Sequence, residues 1–326
     1  MGIKTRIDLD KLFAGDCISI ARAISAVENE TDGTEQLLKD IFSKTCRCYR
    51  VGITGPPGAG KSTVINRLAQ FYRQQGLGVG IIAVDPTSPF TGGSLLGDRI
   101  RMTDVELDDG VFIRSMASRG SLGGLSKKAI EAADVLDAAG KDIVIMETVG
   151  VGQSELDIAG AADTTIVVLV PESGDSIQAM KAGLMEIGDF FLLNKSDRAG
   201  AEQALMAVKM ILNFRHNSGW KPDVLKSVAS EGIGTAEIAG KINEHRAYLE
   251  QERRLVTKRR ERLERRVRQL IADRLRIEFW NDERRELLSQ KMNIVMELRL
   301  TPYDVAHELI QHFHSETEEG EQYGNG

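Results

Sequence analysis

The sequence predicts an α/β protein: a doubly wound, mainly parallel sheet with a helical extension at its N-terminal side and a helical arm at its C-terminal side. Three observations predict it. Short runs rich in β-branched residues alternate with helix-length segments between Arg50 and Val228. Several of these runs lack hydrophobic/polar alternation, as strands buried on both faces do. The grammar changes on either side of that block, to helical spacing of apolar residues before it and to a basic helical field after it.

In chain order, Ile7 to Leu12 and Ile18 to Val27 read as helices, the second with Ile18, Ile20, Ala21, Ile24 and Val27 near helical spacing. A polar break at Asn29 to Thr34 precedes a further helix through Leu37, Leu38, Ile41 and Phe42. The expected strands are Arg50 to Thr54, Val79 to Val84, Val111 to Arg114, Ile143 to Glu147, Thr164 to Val170, Phe190 to Leu193 and Val224 to Val228. Helix resumes after Gly240 and is expected to run from Lys241 to about Phe279. A last helix runs from Pro302 to His314, and the acidic Ser315 to Gly326 is expected to fray. The resulting domains are 1–48, a helical extension; 49–240, the sheet domain; and 241–326, the arm with its acidic tail.

The chain has 326 residues, 42% hydrophobic and 28% charged, with a formal net charge of −6. That is the composition of a soluble globular protein with a core of ample size. Three cysteines argue against a disulfide framework and for a reducing compartment. No run approaches the roughly 18 apolar residues of a membrane span, and Met1 to Asp8 lead into no secretory apolar region, so the expected location is the cytoplasm. The acidic total weighs against a nucleic-acid binder, but the charge is uneven. Gln251 to Arg276 holds eleven Arg or Lys and four Asp or Glu, an excess of seven positive charges, leaving −13 on the other 300 residues.

In doubly wound sheets ligands bind beyond the carboxyl ends of the strands. After the first strand stands Gly55-Pro56-Pro57-Gly58-Ala59-Gly60-Lys61-Ser62, a complete G-x-x-x-x-G-K-S phosphate loop, with a helix beginning near Thr63. Its glycines let backbone N–H groups surround phosphates, Lys61 reaches the β- and γ-phosphates, and the Ser62 hydroxyl suits Mg2+. Asn194-Lys195-Ser196-Asp197 follows a later strand as an N-K-x-D element. The Asp197 carboxylate there can accept from N1–H and the 2-amino group of guanine, which adenine does not offer together. Val228-Ala229-Ser230 lies where a backbone contact to the guanine 6-oxo group is expected, with Val in place of the usual Ser.

Asp85 and Glu147 close strands and so face the metal position. Asp98, in the glycine-rich Thr91 to Arg99, reaches toward metal or attacking water in one reading and is a solvated loop residue in the other. Thr148-Val149-Gly150-Val151-Gly152-Gln153 follows Glu147, and the Gly150 N–H is placed to sense the γ-phosphate. No Gln stands immediately after Gly150, so slow intrinsic hydrolysis is expected.

Three runs carry a family resemblance: Val51-Gly-Ile-Thr-Gly-Pro-Pro-Gly-Ala-Gly-Lys-Ser, Ala83-Val-Asp-Pro-Thr-Ser through Thr91-Gly-Gly-Ser-Leu-Leu-Gly-Asp-Arg-Ile-Arg-Met, and Glu147-Thr-Val-Gly-Val-Gly-Gln-Ser-Glu. The chain resembles the MeaB/ArgK family, GTPases associated with methylmalonyl-CoA mutase. The resemblance extends from Ala21-Arg22-Ala23-Ile24 to Thr301-Pro302-Tyr303. It implies a homodimer that uses GTP, GDP and Mg2+ to gate adenosylcobalamin loading of an adenosylcobalamin-dependent acyl-CoA mutase, and to protect or reactivate it. It also implies that Asp85, Asp98 and Glu147 lie near Mg2+, and that Asp175, Gln178 and Lys181 couple the nucleotide to the mutase.

The basic helix admits three readings: a dimerisation arm, which its interspersed apolar residues and the resemblance favour, a solvated face, or a nucleic-acid surface. Its charge suggests an arm lying across an acidic body, most simply that of the other subunit. Cys46-x-Cys48 leaves a metal-delivery GTPase of the hydrogenase or urease accessory kind as an alternative function, with only Cys17 besides.

Overall fold

Seven parallel strands form the centre of the computed structural model, which describes residues 7–86, 105, 107–118, 124–148, 154–171, 183–213 and 219–323. The strands are β1 (Tyr49–Thr54), β2 (Val79–Pro86), β3 (Val111–Ser118), β4 (Ile143–Thr148), β5 (Thr164–Leu169), β6 (Phe190–Asn194) and β7 (Val224–Ser227). Their spatial order is β3-β2-β4-β1-β5-β6-β7. All seven expected strands are present, with ends moved by a few residues at most.

Alternation within each strand sends neighbouring residues to opposite faces. Val144 and Met146 of β4 join a core with the N-terminal helices α1 (Leu9–Phe13), α2 (Cys17–Asn29) and α3 (Thr34–Ile41), and with α5 (Gly124–Ala138). Ile143 and Ile145 join the opposite core with α4 (Lys61–Gln74) and α9 (Thr235–Glu250). Val167, Leu169, Phe191 and Leu193 pack with α7 (Leu184–Ile187) and α8 (Ala201–Asn213), while α6 (Ser154–Ala161) contributes Ile158 and Ala161 to the first core. Helix starts follow local chemistry: Asp16 Oδ2 accepts the Ser19 N–H at 2.7 Å at the head of α2.

The chain divides into two compact units, 1–262 and 263–326. The continuous helix expected from Lys241 to Phe279 is broken. α9 ends at Glu250, and α10 (Arg254–Phe279) begins after a turn in which Glu252 and Arg253 take φ of 54° and 61°. No Gly or Pro marks that break; contacts outside the local sequence stabilise it, Lys258 Nζ and Arg259 Nε reaching the Asp163 carbonyl and carboxylate.

The second unit contains a helix that the sequence reading lacks, α11 (Asp282–Met296), whose Asn281 side chain accepts the Arg284 N–H at 2.8 Å. It packs on α12 (Pro302–Tyr323) with Lys291 paired with Glu308 at 2.6 Å, and the Phe279 ring at the end of α10 stands 5.4 Å from that of Phe313 on α12. Helix therefore continues well past His314, into the segment expected to fray. No helix among the described residues is long and apolar enough to cross a membrane.

Candidate functional site

The register of the sheet assembles the site. Ile53 of β1 lies opposite Glu147 of β4, and Ala83 of β2 opposite Glu147 on the other side. The phosphate loop leaving β1, the end of β4 and the end of β2 therefore converge at one edge. On the other side of β1, Leu193 pairs with Leu169, and Asn194 pairs with Ser227 of β7. The ends of β6 and β7 thus face the same edge.

The loop itself is shaped for close approach. Gly55, Gly58 and Gly60 have φ of 138°, 74° and 87°, conformations that side chains oppose. A Cβ on Gly55 would lie 2.1 Å from the Val168 carbonyl oxygen, and one on Gly60 would lie 2.4 Å from Asn194 Nδ2. The buried Lys61 folds its ammonium back over the loop, donating to the Gly55 carbonyl at 2.9 Å and the Pro56 carbonyl at 3.1 Å. The N-terminus of α4, with Lys61, Ser62 and Thr63 in its first turn, points the same way.

Ser62 Oγ donates to Glu147 Oε1 at 3.0 Å, and both side chains are buried. Two hard oxygen donors at this separation fit adjacent positions of an octahedral Mg2+, whose bonds of about 2.0–2.1 Å set neighbouring ligands about 2.9 Å apart. The ends of β4 and β1 are also tied by Thr148 Oγ1 donating to Thr54 Oγ1 at 2.8 Å. The Asp85 backbone follows Val84, the residue of β2 opposite Thr148, but its side chain lies outside the described residues. So do Asp98, Gly150, Asp175, Gln178 and Lys181 altogether.

The N-K-x-D element is tied to both neighbouring loops. Asn194 Nδ2 donates to the Ala59 carbonyl at 2.8 Å, and Lys195 Nζ donates to the Gly58 carbonyl at 2.8 Å. Asn194 Oδ1 accepts from Ser227 Oγ and from the Ala229 N–H, each at 3.1 Å. The Ala229 N–H is thus already engaged within the protein, a detail hidden by the sequence pattern. Ala229 and Ser230 sit in a short 3-10 turn whose flanks close as a bridge between Val228 and Ile233. Asp197 is exposed in the turn after β6.

Two features were missed by sequence reasoning. Arg67 of α4 grips the carbonyls of Ala229 and Ser230 at 3.1 and 2.8 Å; an Arg on an amphipathic helix carries no local signal for this. Asp163, fully buried before β5, accepts from Arg259 at 2.8 Å, Arg262 at 3.3 Å and the Arg50 N–H at 3.0 Å. Burial pushes its carboxyl upward, but Arg262 and Arg259 outweigh burial and hold it below the usual range. The first turns of the basic helix therefore pair with an acid of their own chain. This pairing removes Arg259 from any nucleic-acid face.

Cys48 is not placed as a thiolate ligand. Cys48 is buried, and burial pushes its thiol up to about 12. The amides of Cys46, Arg47 and Cys48 donate to Asp137 at 2.7, 3.1 and 2.9 Å. Such surroundings disfavour the thiolate form that binds metal.

A parallel sheet whose strand ends carry a phosphate loop, a serine–carboxylate pair and an N-K-x-D turn defines a P-loop GTPase. The family model described as methylmalonyl Co-A mutase-associated GTPase MeaB matches residues 20–284, and the chain belongs to that family. A putative GTPase of Pyrococcus horikoshii is 46% identical over 304 residues, covering 91% of this chain and 95% of that protein. GTPase ArgK of Escherichia coli is 40% identical over 238 residues, 70% of this chain and 72% of its own length. A crystal structure described as a LAO/AO transport system kinase superposes with a TM-score of 0.73 at 29% identity, covering 94% of this chain and 96% of that one. GTP and GDP are accordingly the nucleotides of this GTPase.

Proposed function

We propose that this GTPase serves an adenosylcobalamin-dependent acyl-CoA mutase of the methylmalonyl-CoA mutase type, gating cofactor loading and protecting or reactivating the mutase through its nucleotide state. The family description supports the partner class. So does a relative in Mus musculus, the mitochondrial methylmalonic aciduria type A homolog, 34% identical over 246 residues. The observation that carries the reading is the hydrogen bond from Ser62 to Glu147, which ties the phosphate loop to the strand leading into the Gly150 segment.

In this reading Lys61 and the N–H groups from Gly58 to Thr63 hold the phosphates, and Asp197 reads guanine. Ser62 and Glu147, joined by Asp85 and Asp98, would hold Mg2+, which when bound supplies charge neutralisation across the β- and γ-phosphates. Gly150 senses the γ-phosphate. Loss of that contact after hydrolysis lets the strand end relax, and Asp175, Gln178 and Lys181 pass the change to the mutase. The product of interest is a change of shape rather than a metabolite.

Self-association is part of the same proposal. Val267, Leu270, Ile271 and Leu275 are 54%, 43%, 53% and 51% exposed on α10, at spacings that share one helix face. A second copy is the simplest cover for them. The test is co-elution of the purified protein with candidate mutases in the presence of GDP or a non-hydrolysable GTP analogue. Nucleotide-dependent complex formation is expected; identical elution with every mutase and both nucleotides would overturn the reading.

A further inference from the structure

The guanidinium of Arg67 reaches from the phosphate-binding helix to the loop after β7. Its Nε donates to the Ala229 carbonyl at 3.1 Å and its Nη2 to the Ser230 carbonyl at 2.8 Å, a two-pronged grip on consecutive peptides. The third nitrogen, Nη1, donates to Gln70 Oε1 at 3.2 Å, one turn along the same helix, which fixes the plane of the fork.

A trans peptide points its C=O and N–H in opposite directions. Holding the Ala229 carbonyl therefore sets the direction of the Ser230 N–H, and holding the Ser230 carbonyl sets that of Glu231, which donates to the Val228 carbonyl at 2.9 Å. On its other flank the turn is held by Asn194, through the Ala229 N–H. The turn is thus clamped between α4 and β6, the two elements that carry the phosphate loop and the N-K-x-D residues. A serine hydroxyl at position 228 is one way to brace such a turn. This chain has Val228 there, and the bracing comes from Arg67.

We infer that Arg67 is a positioning residue for guanine selection, aligning the Ala229–Glu231 turn so that its backbone meets the 6-oxo edge of the purine. The inference rests on the reading of Asp197 and the Val228–Ser230 turn as the base site.

The test is equilibrium binding of labelled GDP and ADP to the full chain, with thermal unfolding of each variant in parallel. Arg67→Met is expected to lose about tenfold in GDP affinity, the scale of a lost charge-assisted hydrogen bond, with little change for ADP. The preference for GDP over ADP then narrows by the same factor. Arg67→Lys keeps the charge without the fork and is expected to recover part of the preference. Gln70→Ala loosens the fork and is expected to narrow the preference less, and reports even if Arg67→Met folds poorly. Equal weakening of both nucleotides, or an unchanged preference in Arg67→Lys and Gln70→Ala, would overturn the inference. Asp197→Asn separates it from the underlying reading, because an amide there favours a 2-oxo purine. If Asp197→Asn neither weakens GDP nor admits xanthosine diphosphate, the base-site reading fails. If it does both while the Arg67 variants keep the GDP preference, only the role of Arg67 fails.

Discussion

Asn194 binds the carbonyl of Ala59 through Nδ2 at 2.8 Å, although the two residues are 135 positions apart. The same amide accepts from Ser227 and Ala229 on Oδ1, so one buried side chain holds the phosphate loop, the N-K-x-D turn and the loop after β7 at fixed spacing. Preorganisation of this kind lowers the ordering cost of nucleotide binding.

Asn194→Ala is therefore expected to weaken GDP binding by tenfold or more and to destabilise the fold by about 1–3 kcal/mol, since buried partners are left without hydrogen bonds. Titration with a fluorescent GDP and urea unfolding measure the two effects. Wild-type GDP affinity in this variant would contradict a positioning role.

Ser62 and Glu147 lie 3.0 Å apart in the arrangement that suits Mg2+. Ser62→Ala is expected to abolish the dependence of GTP affinity on Mg2+ and to lower turnover at least a hundredfold, about the effect of 2.7 kcal/mol on a barrier. Ser62→Thr, which keeps the hydroxyl, is expected to retain both. The check is GTP binding and hydrolysis across a Mg2+ titration, and an unaltered Mg2+ dependence in Ser62→Ala would count against the site.

Asp163 holds the first turns of α10, and its removal leaves Arg262 buried and Arg259 half-buried without their carboxylate. Asp163→Ala is expected to cost about 3–5 kcal/mol of stability, as breaking a buried ion pair from one side does. Because the folded carboxyl titrates below its ordinary value of 3.8, its contribution is complete above that pH and is lost as pH falls through the depressed value. The gap in urea midpoint between the two proteins should narrow from neutral pH to pH 3; a constant difference would refute the assignment.

His245 supplies a second pH dependence. Its Nδ1 lies 2.8 Å from Thr164 Oγ1, and its ring lies tilted against Trp220 with centroids 4.7 Å apart. Burial holds its pKa below the ordinary 6.5, an effect that Asp189 opposes without reversing. The unfolded chain then takes up a proton first, so stability is full above 6.5 and declines as pH falls below it. Denaturant midpoints at pH 7.5 and 5.5 should show this decline, and His245→Gln should flatten it. An identical slope in the variant would rule out His245 as the source.

Much of the architecture was legible in the chain because its signals are local. Val51, Ile53, Ile145 and Val168 belong to short β-branched runs that declare buried strands, and Gly55 to Ser62 is a contiguous motif whose glycines already specify a left-handed, close-approach loop. The break at Gln251 to Arg253 was not legible, because it contains neither Gly nor Pro and depends on contacts made by the following turn with Asp163. The helix Asp282–Met296 left a weak trace, Asn281 followed by Asp282 and Glu283, that capping chemistry explains once seen.

By itself the sequence determined the strands, the phosphate loop, the N-K-x-D turn and the family, since each is written in neighbouring residues and depends on short-range sterics and hydrogen bonding. Only the tertiary structure decided that Ser62 meets Glu147, that Asn194 braces Ala59, that Arg67 grips Ala229 and Ser230, and that Arg259 and Arg262 close on Asp163 of their own chain. These pairs are joined by sheet register and helix packing across as many as 163 positions, and a buried charge or amide takes whichever partner that packing brings within reach.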